Sequence, residues 1–242
     1  MRAPVRIAMW SGPRNLSTAM MRAFENRPDT AVIDEPFYAA YLARTGIHHP
    51  MRAEVLVACE ADPDCVARSL TGPVPGGAAI FYQKHMTHHM LDGFERGWMD
   101  QCRNAFLIRA PERVLASYAA RRAEVELADI GFVRQAELFD QVFSREGKAP
   151  PVIDAEDVLA DPARTLTVLC AALDITFDRA MLAWPAGSRA TDGVWAPAWY
   201  QAVERSTGFG RPSGQSVKLD RRLKAIASAA RPIYERLAEH RL

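Results

Sequence analysis

Arg14, Glu35, Lys84 and Arg109 each stand at or just past the end of a short apolar run. Residues placed this way meet at one edge of an α/β sheet, where such sheets bind ligands. Arg14 lies in Ser11-Gly12-Pro13-Arg14-Asn15-Leu16-Ser17-Thr18, between the apolar run Val5 to Met9 and a helically spaced stretch from Ser17 to Glu25. Strand, glycine-containing loop and helix in that order bind anions, because backbone N–H groups and the helix dipole face the loop. Gly12 is read as allowing a tight turn, Arg14 as a fixed positive charge, and Ser17 and Thr18 as hydroxyl donors. Counted from Gly12, the glycine and lysine of G-x-x-x-x-G-K-[ST] would fall at Ser17 and Thr18, so the lysine that reaches terminal phosphates is missing. Kinase or NTP-hydrolase chemistry loses its main electrostatic element without it. The competing reading is an ordinary strand-to-helix turn with a Ser/Thr cap.

A second anion site is read in Arg109-Ala110-Pro111, with Ser117 eight residues after Arg109. Pro111 suits the first turn of a helix, and a guanidinium fork with a hydroxyl suits one phosphate. A surface arginine beside an unrelated helix serine is the plainer alternative. Two residues are candidate bases. Glu35, in Asp34-Glu35-Pro36-Phe37, has its pKa raised if it is partly buried against Phe37 and Tyr38. His85, in Gln83-Lys84-His85-Met86, is the other. Neighbouring side chains on a strand face opposite ways, so Lys84 and His85 share a site only if the strand has ended. His85 and His89 at i, i+4 raise a metal reading, but a zincin needs Glu where Met86 stands and no cysteine completes a set. We therefore expect no metal site and read His88 and His89 as surface or pocket residues; His48-His49 is a loop pair without further signal.

Apolar runs at Val5–Met9, Thr30–Ile33, Ala78–Gln83, Ala105–Ile108 and Val152–Ile153 read as strands. Helical spacing covers Ser17–Glu25, Arg113–Glu126, Phe132–Phe143, Asp161–Leu173 and Leu219–His240. Alternating strands and helices predict an α/β, three-layer fold with a central, mostly parallel sheet flanked by helices. The 242 residues suit one domain, in which 184–216, with three tryptophans, three prolines and five glycines, forms a loop or lid and 217–242 a C-terminal helix. Arg121-Arg122 is read as a solvated helix face.

Apolar residues at 49% and charged residues at 24% exclude disorder, collagen and coiled-coil arrays. Thirty basic and 29 acidic side chains leave a formal net charge of +1, so no global field favours nucleic acid or an anionic membrane. Any bound anion needs a local cluster. Cys59, Cys65, Cys102 and Cys170 form no CxxC pair and are expected as free thiols. No apolar run reaches the ~20 residues of a membrane span, and Met1-Arg2-Ala3-Pro4 does not resemble a signal peptide. A cytoplasmic protein is expected.

With these residues in place, the chain resembles the sulfotransferases that use 3′-phosphoadenosine 5′-phosphosulfate (PAPS), which have a P-loop NTPase-like fold. Bacterial members often read Pro-Arg-Ser-Gly-Ser-Thr in the first loop; Pro13-Arg14-Asn15-Leu16-Ser17-Thr18 keeps four of those residues and departs at Asn15 and Leu16. Arg109, Pro111 and Ser117 match the second loop, which holds the 3′-phosphate. Glu156-Asp157-Val158-Leu159-Ala160-Asp161-Pro162 is similar to the family's Glu-Asp-Leu-x-x-Asp-Pro element, and Leu173-Asp174-Ile175 to its Leu-Gly-hydrophobic segment. The resemblance implies PAPS as donor, no metal, and a small-molecule hydroxyl or amine acceptor. Some bacterial members carry a Glu-Pro-Phe element like Glu35-Pro36-Phe37 whose Glu is the proposed base; animal-type members carry Lys-x-His, which Lys84-His85 approaches without the spacer. Glu35 is the preferred base, His85 the second, and Lys84 a cationic stabiliser. Arg211, in Gly208-Phe209-Gly210-Arg211, lies where the family places a late phosphate-binding loop, and residues 37–70 and 184–216 would wall the acceptor. The alternatives are a degenerate P-loop kinase or NTP hydrolase, and a non-catalytic nucleotide-binding protein of the same fold.

Overall fold

The computed structural model describes residues 3–120, 124–212 and 217–242; Met1-Arg2, the Arg121-Arg122 pair and the 213–216 part of the lid stretch lie outside the described residues. Five strands form one parallel sheet: β1 (Val5–Ser11), β2 (Thr30–Asp34), β3 (Ile80–Met86), β4 (Arg103–Ile108) and β5 (Val152–Asp154), in the order β2-β3-β1-β4-β5. Helices α1 (Ser17–Glu25), α2 (Tyr38–Thr45), α3 (Arg52–Ala58), α4 (Pro63–Thr71), α5 (Pro111–Ala119), α6 (Phe132–Glu146), α7 (Ala155–Ala160), α8 (Pro162–Ala172), α9 (Ala196–Trp199), α10 (Gln201–Glu204) and α11 (Arg221–Ala238) surround it.

Both faces of the sheet are covered, which is why its strands read as continuous apolar runs. Alternate residues divide between the faces. Ile7 and Met9 pack with Met20, Phe24, Leu166 and Leu169 of α1 and α8. Ala8 and Trp10 pack with Leu70, Leu138, Phe139 and Leu237 of α4, α6 and α11. The α/β layering expected from the sequence is therefore present, with every strand pair parallel.

The main shift in boundaries is at β3. It starts two residues later than expected and runs on to Met86, because its ladder with β1 continues through Met9↔Lys84, Trp10↔His85 and Ser11↔Met86. Lys84 and His85 thus lie inside a strand. At the other end of the expected Arg113–Glu126 helix, α5 stops at Ala119. Residues 37–70, expected as loops and apolar walls, hold α2, α3 and α4. The last is capped by the Asp62 carboxylate, which accepts the N–H groups of Asp64 and Cys65, with Pro63 in the first turn.

The segment from residue 184 onward is ordered around its aromatic residues and holds α9 and α10. Trp184, Trp195 and Tyr200 are buried. Buried Arg22 of α1 anchors this segment, donating to Asp192 Oδ2 at 2.7 Å and Glu25 Oε2 at 3.2 Å. Asn26 Nδ2 donates to the carbonyls of Ala180 and Ala183 at 2.8 and 2.7 Å. The helix behind the anion loop and the covering segment are therefore one packed unit. No helix among the described residues is long and apolar enough to cross a membrane.

Breaking a buried ion pair from one side leaves an uncompensated charge and costs about 3–5 kcal/mol. Arg22→Met, which strands Asp192, should lose stability on that scale in denaturant unfolding. Arg22→Met with Asp192→Leu should recover part of it.

Candidate active site

A cavity of about 300 Å³ opens at the carboxyl ends of the strands and is lined by two clusters of polar residues, one around Arg14 and Arg109 and one around Glu35 and Lys84.

The first cluster begins with the loop after β1. Its tight geometry does not come from Gly12, whose φ is ordinary, but from Arg14 and Leu16, at φ 62° and 69°. Gly12 is needed for another reason: a Cβ there would lie 2.5 Å from the carbonyl oxygen of Ile130. Gly131 approaches from the other side at φ 71°, where a Cβ would lie 2.6 Å from Thr87 Oγ1 and 3.5 Å from Gly12 Cα. The loop is thus pressed against the backbone ahead of α6. Pro13, with its ring-fixed φ, is followed by Arg14 in a left-handed conformation, the kind of backbone turn that concave anion-binding nests use. Leu16 is the cap residue of α1 and supplies no side-chain bond, and the first turn holds no acidic residue. Ser17 and Thr18 sit inside the helix, so the Ser/Thr cap alternative is not realised. The first N–H groups of α1 keep no side-chain acceptor and suit an anion. Asn15, one of the two departures from the family pattern, is buried and donates to the Leu107 carbonyl at 3.3 Å, tying the loop to β4. Leu16, the other, packs against the α1-side core while holding a backbone conformation that glycine adopts without penalty.

Arg14 Nε donates to Ser117 Oγ at 2.8 Å. Arg109 Nη1 donates to the Arg14 carbonyl at 3.1 Å, and Arg109 Nε and Nη2 donate to Glu156 Oε1 at 3.2 and 3.1 Å. Arg14, Arg109 and Ser117 therefore share one wall of the cavity with Pro13 through Thr18. Glu156 buttresses Arg109; the sequence pattern places it in a matching element but holds no sign of that contact.

The second cluster is built on the ends of β2 and β3. The Lys84 side chain is 1% exposed and spends its three N–H donors on Asp34 Oδ1 at 2.8 Å, Glu35 Oε1 at 2.5 Å and Tyr200 Oη at 2.8 Å. Tyr200 Oη donates to Asp34 Oδ2 at 2.6 Å and accepts from Trp195 Nε1 at 3.1 Å. Glu35 is held at φ 42°, with its N–H on the Lys84 carbonyl at 2.9 Å, so a strained residue directs the carboxylate into the cavity. Burial lifts the Glu35 carboxyl above its ordinary range, Lys84 pulls it back, and Asp34 adds to the rise. Burial pulls the Lys84 ammonium down, but Asp34 and Glu35 overcome this and hold it well above its ordinary value. His89 is buried, stacked between Tyr38 and Tyr41 at 4.6 and 4.8 Å, with Nδ1 4.0 Å from Glu35 Oε2. Burial and then the neighbouring histidines keep it neutral, far below the usual imidazole range. Tyr38 Oη meets His49 Nδ1 at 3.0 Å.

Three expected residues do not line the cavity: His85, Arg211 and Gly12, the loop's lining beginning at Pro13. His85 points to the other face of β3, stacked on Trp10 at 4.5 Å with Nε2 3.2 Å from Gln83 Oε1. The strand has not ended at Lys84, so alternation sends the two side chains apart. Arg211 is exposed and lies outside the cavity, whose lining ends at Gly210. The site also contains residues that the sequence did not single out for these roles: Asp34, Tyr200 and Glu156. Their only sequence signal is nearness to a motif or to a tryptophan.

The fold is that of the sulfotransferases. The chain matches the sulfotransferase domain family over residues 5–240 and belongs to it. It is 35% identical over 240 residues to branched-chain-amino-acid aminotransferase-like protein 1 of Arabidopsis thaliana, a match covering 99% of this chain and 43% of that protein. The same identity holds over 206 residues with branched-chain-amino-acid aminotransferase-like protein 2 of that plant, covering 85% of this chain and 36% of the relative. The chain thus spans less than half the length of these relatives. Among solved structures it is similar to a sulfotransferase from Alicyclobacillus acidocaldarius (14% identity, TM-score 0.55, covering 100% of this chain and 98% of that one). It is also similar to the sulfotransferase domain of the curacin biosynthetic pathway (15% identity, TM-score 0.53, 95% and 98% covered). At these identities the likeness is one of fold.

Two outcomes follow from the local geometry. Leu16 already bears the cost of a non-glycine residue in a left-handed conformation, so Leu16→Val, which loses one methylene of packing worth about 0.8 kcal/mol and adds β-branching there, should lower the unfolding free energy by about 1 kcal/mol in denaturant titration. His85 has its pKa pulled down to about 3 by burial, with Lys84 adding to the fall. Unfolded His85 therefore binds a proton that the folded form refuses, and stability falls as pH drops from about 6.5 toward 3. In His85→Leu the slope of stability against pH in that window should flatten by about one proton.

Proposed function

We propose that this sulfotransferase moves a sulfuryl group from PAPS to a hydroxyl or amine of a small-molecule acceptor. One observation carries the reading: the anion nest, Arg14, Arg109 and Ser117 line the same cavity as the Glu35 carboxylate. The donor set fits the group. The uncapped start of α1, a first turn without acidic residues and two arginines favour two anionic centres, and the lysine of an NTP-cleaving loop is absent. PAPS, when bound, supplies an activated sulfuryl group on a phosphate leaving group.

The residues of the chain divide the remaining work. The loop from Gly12 through Thr18, with the Arg14 guanidinium, holds the phosphosulfate end, and Arg109 with Ser117 holds the 3′-phosphate. Glu35 takes the proton of the acceptor. Its Oε1 is fixed by Lys84, which leaves Oε2 to meet the acceptor. A carboxyl lifted above its ordinary range is a better match to neutral pH than an exposed one. Lys84 holds that carboxylate in place; its contact with donor oxygens requires one of its three present bonds to be exchanged. Tyr38, His49, His88 and His89 wall the acceptor.

Calorimetry with adenosine 3′,5′-bisphosphate tests the reading directly. Binding is expected, and Arg109→Ala, which removes a charged donor worth about 1.5–3 kcal/mol, should weaken it by roughly 10- to 100-fold. Glu35→Gln should leave that affinity within about threefold and slow sulfuryl transfer from PAPS by about 10²- to 10⁴-fold. No heat and no thermal shift at millimolar nucleotide overturns the assignment.

A further inference from the structure

Tyr200 belongs to the segment that covers the cavity, yet its hydroxyl sits at the centre of the buried charge cluster. Asp34 and Glu35 compete for Lys84. Asp34 is the more buried carboxylate, 1% exposed against 12% for Glu35. Unopposed, it would draw the ammonium onto both of its oxygens. It does not, because its second oxygen is occupied: Oδ2 accepts the Tyr200 hydroxyl at 2.6 Å and the Gly193 N–H at 3.3 Å. Lys84 is confined to Oδ1, and its other donors go to Tyr200 Oη and Glu35 Oε1. Trp195 Nε1 and the Asp34 and Lys84 contacts fill the hydrogen-bonding capacity of the phenol, one proton given and two accepted.

We infer that Tyr200 is a positioning residue for the proton acceptor: by capping Asp34 Oδ2 it holds Lys84 against Glu35 Oε1 and thereby sets which oxygen of Glu35 faces the acceptor. This rests on the assignment of Glu35 as the base. It makes the covering segment part of the catalytic arrangement, because the same stretch is tied to α1 through Asp192 and Arg22. The charged and titratable groups facing Glu35 are Asp34 on β2, Lys84 on β3, His88 and His89 after β3, Tyr38 on α2, His49 ahead of α3, and Tyr200 itself. Of these, Tyr200 is the one that touches both Lys84 and its competing carboxylate, and its hydroxyl also favours the Glu35 carboxylate directly, in the same sense.

The test needs no acceptor. The glutamate side-chain carboxyls of the full chain are labelled with ¹³C, and the Glu35 signal is identified by its loss in Glu35→Gln. In Tyr200→Phe, Lys84 is released toward Asp34 and the Glu35 titration midpoint should rise by about 1 pH unit or more. Placing 3-fluorotyrosine at position 200 keeps the ring in place and makes the hydroxyl a stronger donor to Asp34, so the midpoint should fall; this variant decides the matter if Tyr200→Phe does not fold. Trp195→Phe removes a donor to Tyr200 but neither of its bonds to the pair, and the midpoint should stay. An unmoved midpoint in folded Tyr200→Phe, or an equal rise in Trp195→Phe, overturns the inference. Two further measurements separate the failures: no bisphosphate binding by the unaltered chain sinks the sulfotransferase reading and unslowed sulfuryl transfer in Glu35→Gln sinks the base assignment, whereas binding and slowed transfer as expected with an unmoved midpoint sink this inference alone.

Discussion

A lysine ammonium buried at the end of a central strand must be matched by negative charge, and much of the cavity is arranged around that need. Bringing Lys84 out of water costs several kcal/mol unless partners of good geometry surround it. Two carboxylates and a phenol meet that requirement, and each comes from a different part of the chain: Asp34 closes β2, Glu35 follows it in a strained conformation, and Tyr200 arrives from the covering segment. The pairing of β2 with β3 puts Asp34 opposite Lys84 in register. A charge that would be a burden in an apolar core thereby becomes the point where sheet, turn and cover are joined.

The anion-holding wall solves a different problem by backbone geometry. Arg14 and Leu16 take left-handed conformations in the loop, and the close approach of Gly12 to Ile130 holds the loop where it is. Asn15 adds an anchor to β4. A leucine at a left-handed position is a local cost, of the kind that persists where surrounding structure over-determines the backbone. The two departures from the family's usual loop are thus accounted for: one side chain anchors the loop and the other packs beneath it.

These two walls stand on different elements, but the α1 helix links them. Its start carries the anion loop, and its buried Arg22 holds the segment that delivers Tyr200. Packing of this kind makes the positions of the loop after β1 and the Glu35 carboxylate mutually dependent.

The residues themselves determined the layered α/β class, the anion loop between β1 and α1, the Arg109 to Ser117 spacing and the absence of the phosphate-reaching lysine. These are local: they follow from apolar runs, turn chemistry and residue order, which a linear reading can hold. Tertiary structure alone decided the rest. The ladder with β1 extended β3 through Met86 and so turned His85 into the opposite layer while leaving Lys84 at the cavity. It also brought Tyr200 to Asp34 across 166 positions and Glu156 to Arg109 across 47. Such contacts depend on strand register and on how a covering segment packs, and neither has a signature in the spacing of nearby residues.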